Sequence, residues 1–321
     1  MHYPWWFVPF ATSPMLIAAI ATLHIFVAMY AVGGGMFLAV EVQYAHRTQN
    51  RPYLAYLHDH GWFFILLTIV FGAITGVGIW WTIGLASPLA TEALIHIFLF
   101  AWAMEYVFFV VEIASAFLFF YFWDRLPPKT HTIFGYIYAV AAWISLVLIT
   151  SITAFMLNSG NWTESPSFWV GFFNPEFFPQ TIARTGGSIL LASLYVYLHA
   201  ALHKKTEPEV RALIARRSAR PALLGAVLVT IGGIWWFLAL PASAQAALAA
   251  APSLNILVLL ILAVTGIIFA MLYLGPYRNP GWVTPGFAML LFVFGLAAIG
   301  IGEFLREAIR KTNNVYSITM S

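Results

Sequence analysis

Apolar residues run along this chain in long unbroken stretches, and polar residues are confined mostly to the short segments between them. Eight stretches come near or exceed the roughly 20 residues that a helix needs to cross a bilayer. They cover 14–43, 61–84, 89–122, 131–157, 180–203, 220–241, 253–275 and 283–306. The runs are continuous, whereas the strands of a membrane barrel would alternate. The pattern therefore predicts an all-α integral membrane protein, a polytopic bundle of about eight transmembrane helices forming one domain over 1–321. The third run is longer than a span requires, which predicts a helix that tilts or extends beyond the bilayer.

The charged residues then orient the bundle. Arg47 and Arg51, Arg125 and Lys129, Lys204, Lys205, Arg211, Arg216, Arg217 and Arg220, and Arg278 fall in or beside the first, third, fifth and seventh connections. Only Arg184, Arg306, Arg310 and Lys311 fall towards the other side. Basic loops stay in the cytoplasm, so the odd connections are expected inside and both termini outside, in a bacterial or archaeal cytoplasmic membrane. The opening segment MHYPWWFVPFATSP reads as an aromatic lead-in without a cleavage site, its Trp5, Trp6 and Phe7 suited to an interfacial belt. The fourth connection, NSGNWTESPSFWVGFFNPEFFPQ, is rich in Trp, Phe, Pro and Asn and is expected to form an ordered cap. The fifth, HKKTEPEVRALIARRSARP, reads as a solvated basic loop.

Composition narrows the chemistry. The chain is 62% hydrophobic and 8% charged, against roughly 25% charged in a soluble domain. It has no cysteine, which excludes disulfides, thiolate-held iron–sulfur clusters and c-type haem attachment on this chain. Nothing in it suggests nucleic-acid binding. A redox centre here would have to be held by His, Met, Glu or Tyr.

Polar groups within hydrocarbon-length runs are costly and point to function. His24 lies about ten residues into the first run, in TLHIFVAMYAVGGGMF. Glu92 and His96 are four apart at the outer end of the third, on one helical face. Glu303 and Arg306 end the eighth, and Arg184 begins the fifth. This outer group of His24, His96, Glu92, Glu303, Arg184 and Arg306 could bind haem, with His or carboxylate as axial ligand and arginines on the propionates. Glu105 and Glu112, seven apart, step from the cytoplasmic side towards the centre and could carry protons. The alternative for each is a neutral partner bonded to a neighbouring helix. Trp162 is a candidate for a position between redox centres. His58 and His60 are expected to be solvated or headgroup-bound, His46 and His131 to lie in loops, and His199 and His203 to snorkel to the inner interface.

These residues resemble a known family. His24 in LHIF, GAITG on the second run, Glu112 followed by WDRL at 123–126, NSGNW, NPEFFPQTIARTGGS and GEFLREAIRK together resemble subunit I of the cytochrome bd quinol oxidases. The resemblance implies that His24 is an axial ligand of an outer haem, that Glu303 ligates a second one with Arg306 close by, and that Glu112 belongs to a cytoplasmic proton path. It implies haem b, with haem d or a second haem b as its partner. The sequence also departs from the family. The second carboxylate of the family's third helix falls at Met104, one position from Glu105. The family's low-spin haem ligand on helix five falls at Ala183 or Arg184, and the early part of helix seven, LNILVLLILAV, has no methionine. The long external quinol loop is reduced to PASAQAALAAAPS, and no ninth helix follows GEFLR.

Three functions stay open on sequence. The first is a bd-like, haem-binding electron-transfer subunit that takes electrons from, or gives them to, a partner such as a periplasmic cytochrome c and reduces oxygen. The second is a quinone-linked redox subunit that does not touch oxygen. The third is a haem-free anchor. All three expect other membrane subunits.

Overall fold

The computed structural model describes residue 9 and residues 11–310. Trp5, Trp6, Phe7 and Lys311 lie outside the described residues. The chain is built from α1 (Ser13–Arg47), α2 (Arg51–Ile65), α3 (Gly72–Ala86), α4 (Pro88–Ile97), α5 (Leu99–Tyr121) and α6 (Pro128–Phe155), followed by α7 (Phe168–Phe172), α8 (Phe177–Leu202), α9 (Pro208–Ala239), α10 (Ala242–Ala250), α11 (Pro252–Leu272) and α12 (Pro285–Arg310). A π-helical segment, Leu66–Phe71, joins α2 to α3, and a second, Tyr273–Tyr277, extends α11. Eight helical segments among the described residues are long and apolar enough to cross a membrane.

Three boundaries differ from the hydrophobic pattern. The second helix starts at Arg51, well before 61, because Asn50 caps it by accepting the Tyr53 backbone N–H at 3.0 Å and Pro52 presets the first turn. The third run is broken at Phe98, whose backbone leaves helical geometry. No glycine or proline marks this break. The Phe98 ring is fully buried against Phe155, Ala101 and Ile152, and that burial fixes the bend. The fifth connection is not a solvated loop. It shrinks to 203–207, and its arginines ride on the first turns of α9.

α8 is the central helix, packed on α9, α1, α12 and α6. Small residues set how closely it can approach α9. A β-carbon on Gly225 would fall 2.6 Å from the Gly186 carbonyl oxygen, and one on Gly232 would fall 2.6 Å from the Ala183 amide. Helices in hydrocarbon associate through such close backbone packing, since lipid offers no hydrophobic drive between them.

Arg47, Arg125 and Arg211 mark one end of the bundle, its basic end. There Arg217 of α9 pairs with buried Glu41 of α1, lies 3.5 Å over the Tyr44 ring, and shares the carboxylate with the Tyr53 hydroxyl, which donates to Glu41 at 2.8 Å. The opposite, capped end carries the fourth connection. Asn158 donates to the Ala239 carbonyl of α9 at 2.9 Å, and Gly160 adopts φ +57° beside Pro175. Buried Asn174 donates to the carbonyls of Ser151 and Gly171, tying the α7 segment to α6.

Candidate haem and proton sites

The polar residues near the end of α12 surround a cavity. Glu303 and Arg306 are each 9% exposed and sit one helical turn apart, with Arg306 Nη1 3.6 Å from Glu303 Oε2. Arg306 also bonds Glu307 at 2.8 Å and the Thr153 carbonyl at 3.0 Å, and Glu307 pairs with Arg310 at 2.9 Å. These partners fix Arg306 but leave Glu303 Oε2 and Arg306 Nε buried without a hydrogen bond. Both residues line a cavity of about 240 Å³ between α1, α8, α9, α11 and α12. Its other walls are mostly apolar, including Met29, Leu191, Leu194 and Trp236, with Gln180, Arg184 and Thr265 as further polar residues. Arg184 reaches α6, donating to Thr150 Oγ1 at 3.3 Å. Buried polar groups without partners are uncommon in native proteins. An apolar wall edged by two arginines and an unbonded carboxylate oxygen supplies the kinds of side chain that could hold a haem.

His24 lies on another face of α1. Its Nδ1 is 3.1 Å from Thr75 Oγ1, and Thr75 gives its own hydroxyl proton to the Phe71 carbonyl at 2.9 Å. His24 Nδ1 is therefore the donor, which leaves the lone pair on Nε2 available for a metal. Gly76 faces the ring, and a β-carbon there would lie 3.2 Å from His24 Cε1. His24 is not among the residues lining the Glu303 cavity, although its neighbour Ile25 is.

The other outer candidates do not join this group. Glu92 and His96 share the exposed face of α4 and are absent from the cavity lining. Trp162 packs edge-on against Phe155, 5.4 Å between ring centroids, and serves the capped connection. A β-carbon on Gly232 of α9 would meet Ala183 of α8, and Ala183 and Arg184 both also border the Glu303 cavity.

Glu105 and Glu112 lie partly buried on α5, and both face Ser145 of the adjoining helix α6. Glu112 also stands near the buried Tyr138.

Several histidines are elsewhere than expected. His60 is fully buried, not solvated, and its Nε2 lies 3.0 Å from the Tyr30 hydroxyl. His46 and His131 are within helices, not loops. His131 donates from Nε2 to the Phe119 carbonyl at 3.0 Å, so its Nδ1 must accept from His46 Nε2 at 3.2 Å. His199 does not snorkel. Its ring stacks 5.0 Å from Phe63, and its Nδ1 lies 3.3 Å from the Tyr56 hydroxyl.

Sequence reading also missed Glu176. It is fully buried at the start of α8, and neither carboxylate oxygen has a hydrogen-bond partner. Burial pushes its carboxyl up to about 8, against a smaller pull downwards from Gln180 and Arg306. A lone glutamate within the aromatic segment FFNPEFFPQ carries no periodic signal, so only the packing reveals it.

Comparison with known proteins settles the family. The model of the cytochrome bd terminal oxidase subunit I family matches residues 13–237, more than half of the chain. This chain belongs to that family. The bd oxidase of Geobacillus thermodenitrificans superposes with a TM-score of 0.80 at 18% sequence identity, covering 94% of this chain and 87% of that one. At this identity the likeness shows a shared fold, the all-helical, multi-pass membrane architecture of bd subunit I. No curated protein matches by sequence. WDRL, part of the family resemblance, has a structural role here: Trp123 is buried 4.5 Å from the His131 ring.

Proposed function

We propose that the chain is a haem-bearing subunit of a bd-type oxidase, with one iron held by Glu303 and a second by His24 Nε2. The observation that carries this reading is Glu303 Oε2, buried without a hydrogen bond beside an apolar cavity edged by Arg184 and Arg306. His24 supports it independently, because the Thr75 bond fixes the ring and aims the metal-binding lone pair away from Thr75. Haem b, paired with haem d or a second haem b, would supply electron storage and oxygen reduction when bound. The protein's own residues do the rest. Arg184 and Arg306 would pair with the propionates, the apolar wall excludes water, and Glu112 and Glu105 hand protons inward past Ser145. Other membrane subunits complete the assembly in the cytoplasmic membrane of a bacterium or archaeon, with the basic end in the cytoplasm.

The electron donor in this reading docks at the capped end. A periplasmic cytochrome c or a quinone is the redox partner in this reading, and the connection between α9 and α11 is the short α10 segment. The test is a reduced-minus-oxidised spectrum with haem stoichiometry on the purified complex. Two haems or more are expected, with His24→Ala losing one. A His24→Ala variant with full haem content would overturn the ligand assignment, and a haem-free wild-type complex would leave only an anchor.

A further inference from the structure

Buried polar residues that neither the haem sites nor the Glu112–Glu105 pair uses gather at the basic end, between α1, α2 and α8. Asp59 of α2 is 44% exposed there, and its Oδ2 lies 3.5 Å from His203 Nε2. The His203 ring stacks on that of His199, 5.1 Å between centroids. His199 Nδ1 lies 3.3 Å from the Tyr56 hydroxyl, and its ring is 5.0 Å from that of His60. His60 in turn reaches the Tyr30 hydroxyl at 3.0 Å. Tyr30 stacks on Tyr195 at 3.9 Å. The residues next to these two in sequence, Met29 and Leu194, line the Glu303 cavity.

Two plain explanations fall short. No three His, Cys, Asp or Glu among the described residues come together in a way that could hold a metal ion. A purely structural cluster would satisfy its ring nitrogens, yet His60 Nδ1 is buried in the middle of the row without a partner.

We propose that this row is a second proton path, running from Asp59 through His203, His199, Tyr56 and His60 to Tyr30, separate from the carboxylates on α5. An imidazole takes a proton on one nitrogen and releases one from the other, and a tyrosine hydroxyl both accepts and donates. One proton enters at Asp59 for each that leaves at Tyr30, so the row gains no net charge. Rotation of the His203 and His60 rings closes the two steps where rings meet without a hydrogen bond. The flanking groups are His58, 3.9 Å from Asp59; Thr206, bonded to His203 Nδ1 at 3.0 Å; Arg211, bonded to the Ala200 carbonyl; and the Glu41–Arg217 pair, which reaches the row through Tyr53 stacked on Tyr56. Only the destination of the path rests on the oxidase reading.

The test needs no turnover. The full chain, with the subunits that purify with it, is placed in lipid vesicles with ring-labelled histidine and moved rapidly into D2O. Infrared bands then follow the replacement of ring N–H by N–D. The buried rings should exchange quickly in the wild type, about 10-fold or more slower in His199→Phe, and severalfold slower in Asp59→Asn, whose exposed site leaves the fold intact. Unchanged exchange rates in both variants would overturn the path, as would wild-type rings that fail to exchange. A haem-free preparation would sink the oxidase reading while these rates still decided the path. Where haem is present, His199→Phe should lower oxygen consumption more in a Glu112→Gln background than alone, and equal effects would count against a second route.

Discussion

At the capped end, Glu303, Arg306, Arg184 and Gln180 border a cavity, and Glu303 Oε2 and Arg306 Nε lack hydrogen bonds. At the basic end, Tyr30, Tyr53, Tyr56, His60, His199 and Glu41 are just as polar, but ring packs on ring and nearly every hydroxyl has a partner. The same cost of burying polar atoms in hydrocarbon is met in two ways. At one end a fixed scaffold, Arg306 anchored on Glu307 and Thr153, leaves Glu303 Oε2 and Arg306 Nε beside the cavity without hydrogen bonds. At the other the polar groups satisfy one another, except at His60 Nδ1. A void with unmet donors and acceptors points to a ligand, whereas a dense row matched at all but one ring nitrogen points to transport along it.

The sharpest way to break this contrast is Glu303→Ala. If the capped end is a ligand site, haem content should fall by at least one per complex and oxygen consumption by about 100-fold. His199→Phe at the other end should keep its full haem content. Optical spectra and pyridine haemochrome assays on the two variants decide it. Equal haem loss in both would show that the two ends are not distinct in kind.

A smaller effect tests the scaffold that keeps the two ends in register. Gly225→Val places a side chain on the Gly186 carbonyl and the Leu190 amide, backbone atoms of α8 that cannot rotate away. We expect a cost of about 3 kcal/mol, read as a lowered thermal midpoint in detergent. Gly233→Val, where a β-carbon meets nothing within 4 Å, should leave the midpoint near that of the wild type. Equal midpoints for the two variants would mean that α8 and α9 do not pack backbone to backbone.

How far the sequence foretold these sites follows from what each depends on. The spans were legible because length and hydropathy are properties of one segment at a time. Glu303 and Arg306 could be placed together because i and i+3 share a helical face. What could not be read is rotation about the helix axis. Nothing local says that His24 turns to Thr75 while Ile25 turns to the cavity, or that His60 points inward beside solvent-facing His58 and Asp59. The bend at Phe98 was hidden for a related reason, since burial of one ring fixes it without a proline or glycine. The basic run that begins α9 reads as a loop because charge suggests exposure, although Arg217 is held over Tyr44 and against Glu41.

The smallest effect is also the one whose sign is most informative. Glu176 belongs to the capped end, near Arg306, yet its own oxygens have no hydrogen-bond partner. With its carboxyl raised from 4.5 to about 8 in the fold, the native state binds a proton there that the unfolded chain releases. Stability is therefore full below about pH 4.5 and falls as pH rises through that window. Glu176→Gln keeps the shape and removes the ionisation. At pH 4 its thermal midpoint should match the wild type, because the Glu176 carboxyl is then mostly neutral in both the folded and the unfolded chain. At pH 8.5 it should be the more stable of the two by roughly 1–3 kcal/mol. An ionised Glu176 paired to Arg306 would give the reverse: Gln would weaken the protein at pH 8.5, and the difference would shrink on acidification. The first outcome makes Glu176 a second group that the capped end holds without a partner, whereas the second would assign it to the ion-pair network that fixes Arg306.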